Sequence, residues 1–276
     1  MPRSITAAFE TAKAENRLAF MPFVAAGDPD CGTTAEVLQT LADAGADLIE
    51  LGVPFSDPIA DGPVIQASYT RALIDGGFKL ADFWAMLEEL DVEGLPPLVG
   101  MVSVSIVQRV GVEEFCQKAK AGGLAGLIVP DVPGDEATGL ADAAKEAGLD
   151  LVQLVSPLTP PERVAKILEA CSGFVYCLSV AGTTGERDSL PAELTAHLDR
   201  LRRHTDLPLA VGFGVSKPEH ARMLHRHADG AIVGSALVRR LEGLADRPKP
   251  EVLDDIAAFT RQMVAACKSS PSEPEG

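Results

Sequence analysis

A chain of 276 residues with 46% hydrophobic side chains can bury a substantial core, as one large domain or two small ones. Its formal net charge of −16 repels phosphate backbones and anionic membranes, which argues against nucleic-acid binding and membrane adhesion. A small anionic substrate stays compatible with that charge where backbone amides and helix ends supply local positive potential.

Taken in order, Ile5 to Glu15 has helical spacing and precedes a first strand, Ala19 to Val24. Thr33 and Thr34 offer caps for a helix through Ala44, which ends at Gly45. A second strand, Ala46 to Val53, is followed by a Pro- and Asp-rich loop, a helical run from Val64 to Ile74 and another from Leu80 to Leu90. The third strand is Leu98 to Ile106, before a helix from Val112 to Ala121. The fourth strand, Leu124 to Val129, precedes a helix from Asp135 to Ala147. The fifth, Leu149 to Val155, precedes a helix that Pro161 opens and that ends near Cys171.

The sixth strand, Phe174 to Ser179, leads through a Gly-rich polar loop to a helix from Ala192 to His204. The seventh and eighth are Leu207 to Gly212 and Gly230 to Gly234, the latter followed by a short helix, Ser235 to Arg240. A helix from Glu251 to Lys268 closes the chain before a Ser/Pro/Glu tail, 269–276, expected to be disordered.

Eight near-continuous apolar strands alternating with helices predict an α/β fold, a closed (β/α)8 TIM barrel, with a doubly wound open sheet as the alternative. No linker interrupts 1–268, so a single domain with an extra N-terminal helix is expected. The five cysteines, with no close-spaced pair, read as core residues of a reducing compartment. The five histidines lie between His197 and His227 without ligand spacing, so no metal site is expected. No secretory core and no bilayer-length apolar run is present, which makes the cytoplasm the expected setting.

Glu50 is the anomaly in this pattern. A carboxylate inside an apolar strand needs either a buried Lys or Arg partner or a chemical task. Eleven residues on, Asp61 sits in an Ala-Asp-Gly-Pro turn, where alone it reads equally as a turn former or cap. Together they place one acid in a dry strand and one in a wetter loop at a barrel's C-terminal mouth, an arrangement that separates two pKa values. Three glycine-bearing segments follow the late strands: Ala181 to Gly185, Gly212 to Ser216, and Gly234-Ser235. Each alone is compatible with a tight turn, but three at successive strand ends suit an anion held by backbone N–H groups. No P-loop and no full dinucleotide fingerprint is present.

The run from Leu48 to Gly62 matches Leu-x-Glu-Leu-Gly-x-Pro-x-Ser-Asp-Pro-x-Ala-Asp-Gly at every fixed position. By that match the chain resembles the tryptophan synthase alpha subunit family, and the likeness extends from about residue 5 to 268. The resemblance implies retro-aldol cleavage of indole-3-glycerol phosphate to indole and glyceraldehyde 3-phosphate, with no cofactor in this chain. It implies Glu50, Asp61 and Tyr176 as catalytic residues, although Tyr176 alone reads as a core aromatic. Gly185, Gly214, Gly234 and Ser235 match the phosphate site, and Phe23, Ile65 and Phe213 the indole pocket. Asp131 and Thr184 match a pair that couples two loops. The loops 55–63 and 180–190 have the position and composition of lids.

The implied partner is a pyridoxal-phosphate-containing beta subunit in an α2β2 complex. A free-standing lyase and a mainly allosteric binding subunit stay open as alternatives. Ser103, Ser105 and Val180 depart from the family's usual polar residues in regions expected to face the partner or the lid.

Overall fold

The computed structural model describes residues 4–58, 61–178, 192–212 and 214–268. Helix α1 (Ile5–Ala14) leads into β1 (Ala19–Ala25) and α2 (Cys31–Asp43); β2 (Ile49–Gly52) leads into α3 (Pro63–Thr70) and α4 (Leu80–Glu89). Then come β3 (Leu98–Met101), α5 (Val104–Val110), α6 (Val112–Ala121), β4 (Leu124–Ile128) and α7 (Thr138–Ala147). The second half runs β5 (Asp150–Val155), α8 (Pro161–Glu169), β6 (Val175–Leu178), α9 (Ala192–Arg202), β7 (Leu209–Gly212) and α10 (Pro218–Leu224). It ends with β8 (Gly230–Val233), α11 (Ser235–Leu241) and α12 (Lys249–Lys268).

The eight strands are parallel neighbours in chain order, and β8 pairs back on β1 through Ala19–Gly230 and Met21–Ile232. This is the expected closed (β/α)8 barrel. The strands are apolar on both faces because each face is buried against something different. Met21, Leu48, Val99, Val152, Phe174 and Ile232 fill the interior. Ile49, Leu51, Leu127 and Val211 meet helix residues such as Leu38, Leu41, Phe83 and Phe115 in an outer layer. Helix α1 plugs the N-terminal mouth: Ile5, Phe9 and Ala12 join the interior cluster, and the Phe9 ring centroid lies 5.6 Å from that of Phe174. With that end sealed by aromatic and aliphatic side chains, the C-terminal mouth is where a polar site can open.

Several local expectations are corrected. The third strand stops at Met101 rather than Ile106, and Val104–Val110 is helical. The β-branched run favours a strand by propensity, but Ser103 accepts the Ser105 N–H at 3.2 Å and Asp131 accepts the Val104 N–H at 2.8 Å, and these caps start a helix. Asp30, not Thr33 or Thr34, caps α2, taking the Thr33 N–H at 2.7 Å. The helix after Asp61 changes to a π-helical turn over Arg71–Asp75. Helix α10 was not anticipated, although Pro218 at its first turn is a legible start signal. Among the described residues no helix is long and apolar enough to cross a membrane. The tail from 269 and the whole of the loop 180–190 lie outside the described residues.

Candidate active site

Glu50 aligns in register with Phe23 on β1 and Val99 on β3, both interior residues, and it lines the cavity at the C-terminal mouth. It is 0% exposed, and neither carboxylate oxygen has a hydrogen-bond partner among the described residues. Among the described residues, then, no buried cation accounts for an acid in this strand. Burial pushes its carboxyl from 4.5 up to about 8, so Glu50 is mostly protonated at neutral pH.

Asp61 sits at the turn that Pro63 converts into α3. Its N–H donates to Pro58 O at 3.0 Å, and its own carbonyl accepts from Gln66 Nε2 at 2.8 Å. Burial first, and the nearby Asp131 second, raise its carboxyl to about 6. The wetter loop is therefore drier than the sequence suggested, yet the order of the two acids holds. Near pH 7 Asp61 is mostly ionised while Glu50 keeps its proton.

Two buried phenols connect the acids. Tyr176 on β6 packs against Gly212, where a Cβ would overlap its ring and hydroxyl. Tyr69 on α3, which the sequence reading passed over, lies against Gly52, where a Cβ would come within 2.6 Å of its hydroxyl and 2.5 Å of Phe23 Cζ. Both phenols are held well above their ordinary pKa, chiefly by burial and then by the charges of Glu50 and Asp61. Tyr69 lines a smaller pocket beside Asp61, while Glu50, Asp61 and Tyr176 border one space.

That space is a cavity of about 840 Å³, within the roughly 300–1,000 Å³ typical of small-molecule sites. Phe23, Ile65, Leu154, Leu178 and Ile232 give it apolar walls. Gly214, Gly234 and Ser235 border it at the ends of β7 and β8, and Ser235 begins α11, whose first N–H groups have no acceptor within the helix. Lys217 and Arg239 also line it, and neither was anticipated as a site residue.

Asp131 follows β4 and is held by the Ser103 hydroxyl at 2.6 Å and the Val104 N–H at 2.8 Å. Ser103, expected on a partner-facing surface, is instead buried and internally bonded, while Ser105 is exposed. Thr184, Gly185, Phe213 and Val180 lie outside the described residues. The signals for Tyr69 and Ser103 were weak: a tyrosine in an amphipathic helix and a serine in an apolar run are ordinary in sequence.

A (β/α)8 barrel with a protonated buried acid, an ionised second acid and an amide-lined end to an apolar cavity defines an enzyme of acid–base chemistry. Comparison with known proteins makes this specific. The family model described as tryptophan synthase alpha chain matches residues 9–268, and the chain belongs to that family. The tryptophan synthase alpha chain of Rhodopirellula baltica is 45% identical over 265 residues, covering 95% of each chain. That of Gloeobacter violaceus is 44% identical over 271 residues, covering 98% of this chain and 97% of the relative.

Among solved structures, tryptophan synthase subunit alpha from Legionella pneumophila superposes with a TM-score of 0.86 at 33% identity, covering 97% of this chain and 98% of that one. A chain of the tryptophan synthase α2β2 complex from Pyrococcus furiosus gives 0.82 at 39% identity, covering 91% and 98%. The family's reaction is that of a carbon–carbon lyase, which cleaves indole-3-glycerol phosphate to indole and glyceraldehyde 3-phosphate.

Proposed function

We propose that Glu50 carries out the proton transfers of this cleavage and that Asp61 holds the indole N–H. The reaction moves one proton from the hydroxyl on the departing carbon to C3 of the indole as the bond between those carbons breaks. Glu50 in its acid form gives its proton to C3, which makes the ring an electron-accepting indoleninium. The carboxylate so formed takes the hydroxyl proton as the C–C bond opens to an aldehyde, and Glu50 ends the cycle protonated, as it began. Asp61, ionised, accepts a hydrogen bond from the indole N–H and stabilises the positive charge that develops there. Positioned groups of this kind contribute about 10²–10⁴-fold each.

Tyr176 orients the reacting hydroxyl against Glu50. Phe23 and Ile65, with Phe213, enclose the flat ring, while Gly214, Gly234 and Ser235, with Gly185, hold the phosphate through backbone N–H groups. Asp131 couples its loop to Thr184. No strand among those described carries a lysine, which speaks against a Schiff-base aldolase route.

The observation that carries this reading is the carboxyl of Glu50: a buried acid with no hydrogen-bond partner among the described residues, in a cavity that also holds Asp61. A polar group buried without a partner destabilises a fold, so its presence fits a task in catalysis. The likeness to the Pyrococcus furiosus chain supports a beta subunit as the acceptor of indole. Five free thiols fit a cytoplasmic setting. Indole release from indole-3-glycerol phosphate, measured alone and with a beta subunit, tests the proposal. Activity that rises on mixing is the expected result. No indole under either condition would contradict it.

A further inference from the structure

Charge is unevenly distributed around the cavity: the acids Glu50 and Asp61 come from the β2 side, Lys217 from the loop after β7 and Arg239 from α11 after β8. The overall charge of −16 repels an incoming anion at long range, so cations at this mouth reverse the local sign where it matters. Some exposed cations elsewhere are engaged by acids, as in Lys249–Glu36, Arg202–Asp229 and Arg222–Glu219, while others such as Lys13, Lys145 and Arg261 are simply solvated on outer helix faces. Lys217 and Arg239 are exposed and form no ion pair or hydrogen bond among the described residues.

The neighbouring Arg240 shows the contrast. It too borders the cavity, but its guanidinium sits 3.7 Å from the Phe259 ring centroid, donates to Ala236 O at 2.5 Å and lies 3.8 Å from Asp255, so it is already engaged by α11 and α12. Arg239 is four positions after Ser235, on the same face of α11. Lys217 precedes Pro218 at the start of α10, in a loop braced by His220, whose Nδ1 is 3.0 Å from Gly214 O and 3.3 Å from Ser216 N.

We infer that Lys217 and Arg239 form a cationic clasp for the substrate's phosphate dianion, added to the backbone amides of Gly214, Gly234 and Ser235. This rests on the reading that the phosphate lies at the ends of β7 and β8. Arg239 supplies a planar fork suited to two phosphate oxygens, and Lys217 a mobile point charge. Both act far from the bond that breaks, so they bind ground state and transition state alike. Their loss therefore moves KM and not kcat.

Steady-state kinetics with indole-3-glycerol phosphate and with its dephosphorylated analogue, indole-3-glycerol, test the clasp. For the Lys217→Gln, Arg239→Gln double variant, KM for the phosphorylated substrate is expected to rise about tenfold with kcat retained, as two exposed charges would give. The wild-type rise of KM with salt should flatten in the double variant, and KM for the analogue should stay put. Arg239→Lys should recover most of the loss from Arg239→Gln, because it keeps the charge. An unchanged KM and salt response in the double variant, while the wild type still prefers the phosphorylated substrate, would overturn the clasp alone. Equal loss on both substrates would also overturn it. A wild type that does not distinguish the two substrates would instead remove the phosphate placement on which the clasp rests.

Discussion

Asp28, just beyond β1, and Glu50, within β2, are carboxylates at adjacent strands, exposed by only 2% and 0%. Asp28 is fully engaged: Ser68 Oγ donates to it, Arg71 Nε reaches Oδ1 at 3.0 Å and Arg71 Nη2 reaches Oδ2 at 2.7 Å. That fork ties the β1 loop to the π-helical turn after α3, and so steadies the helix that carries Ile65 and Tyr69. Glu50 has no such partner among the described residues. The same functional group is neutralised by a cation where it builds scaffold, and by a retained proton where it faces the cavity. A charge locked in an ion pair is unavailable for proton transfer, whereas an orphaned acid can give up its proton and take one back.

The comparison breaks most visibly at Glu50. Glu50→Gln should lower kcat toward the upper end of the ~10²–10⁴ range for a positioned acid–base group, with the fold retained by circular dichroism. Turnover near that of the wild type would remove the proton-shuttle role. On the scaffold side, Asp28→Ala should lower stability by about 3 kcal/mol in urea titrations, because it removes the buried carboxylate that Arg71 forks and leaves Arg71 only the more distant Glu242 at 3.7 Å. A negligible change would mean that the ion pair only offsets its own desolvation.

The sign of the pH dependence sharpens the contrast. The Glu50 carboxyl is raised by folding from 4.5 to about 8, so the folded state binds the extra proton. Its contribution is fully favourable below pH 4.5 and is lost as pH climbs through 8. Between pH 4 and pH 7, Glu50→Gln should therefore gain about 3 kcal/mol relative to wild type, and parallel curves would contradict the shift.

The smallest effect is expected at the second acid. Wild-type kcat/KM should be bell-shaped, with limbs near pH 6 and pH 8. Asp61→Asn should lose the acidic limb along with about 10²-fold in rate. An acidic limb that survives the substitution would assign it to another group.

Much of this was legible before the coordinates. The strand count and two-faced apolar strands pointed to the barrel, and Glu50, an acid in the middle of an apolar strand, pointed to β2 as the strand to watch at the mouth. What escaped has physical causes. Val104–Val110 reads as strand by β-branching, and the Asp131 carboxylate, 27 residues from the Val104 N–H it caps, joins the Ser103 hydroxyl in turning it into a helix. Asp61 was expected to be wetter because its own residues are turn-like, but its dryness and its repulsion by Asp131 arise from chain segments far away in sequence. Tyr69 and Arg239 belong to helical text whose orientation toward the cavity is set by packing, while Thr184, Gly185 and Phe213 lie outside the described residues.

The central claim is that Glu50 keeps its proton at neutral pH because it is buried without a partner. Titration of its carboxyl carbon by NMR in 13C-glutamate-labelled protein, assigned by the resonance lost in Glu50→Gln, measures this directly. The expected midpoint is near 8; a midpoint near 4.5 would contradict it.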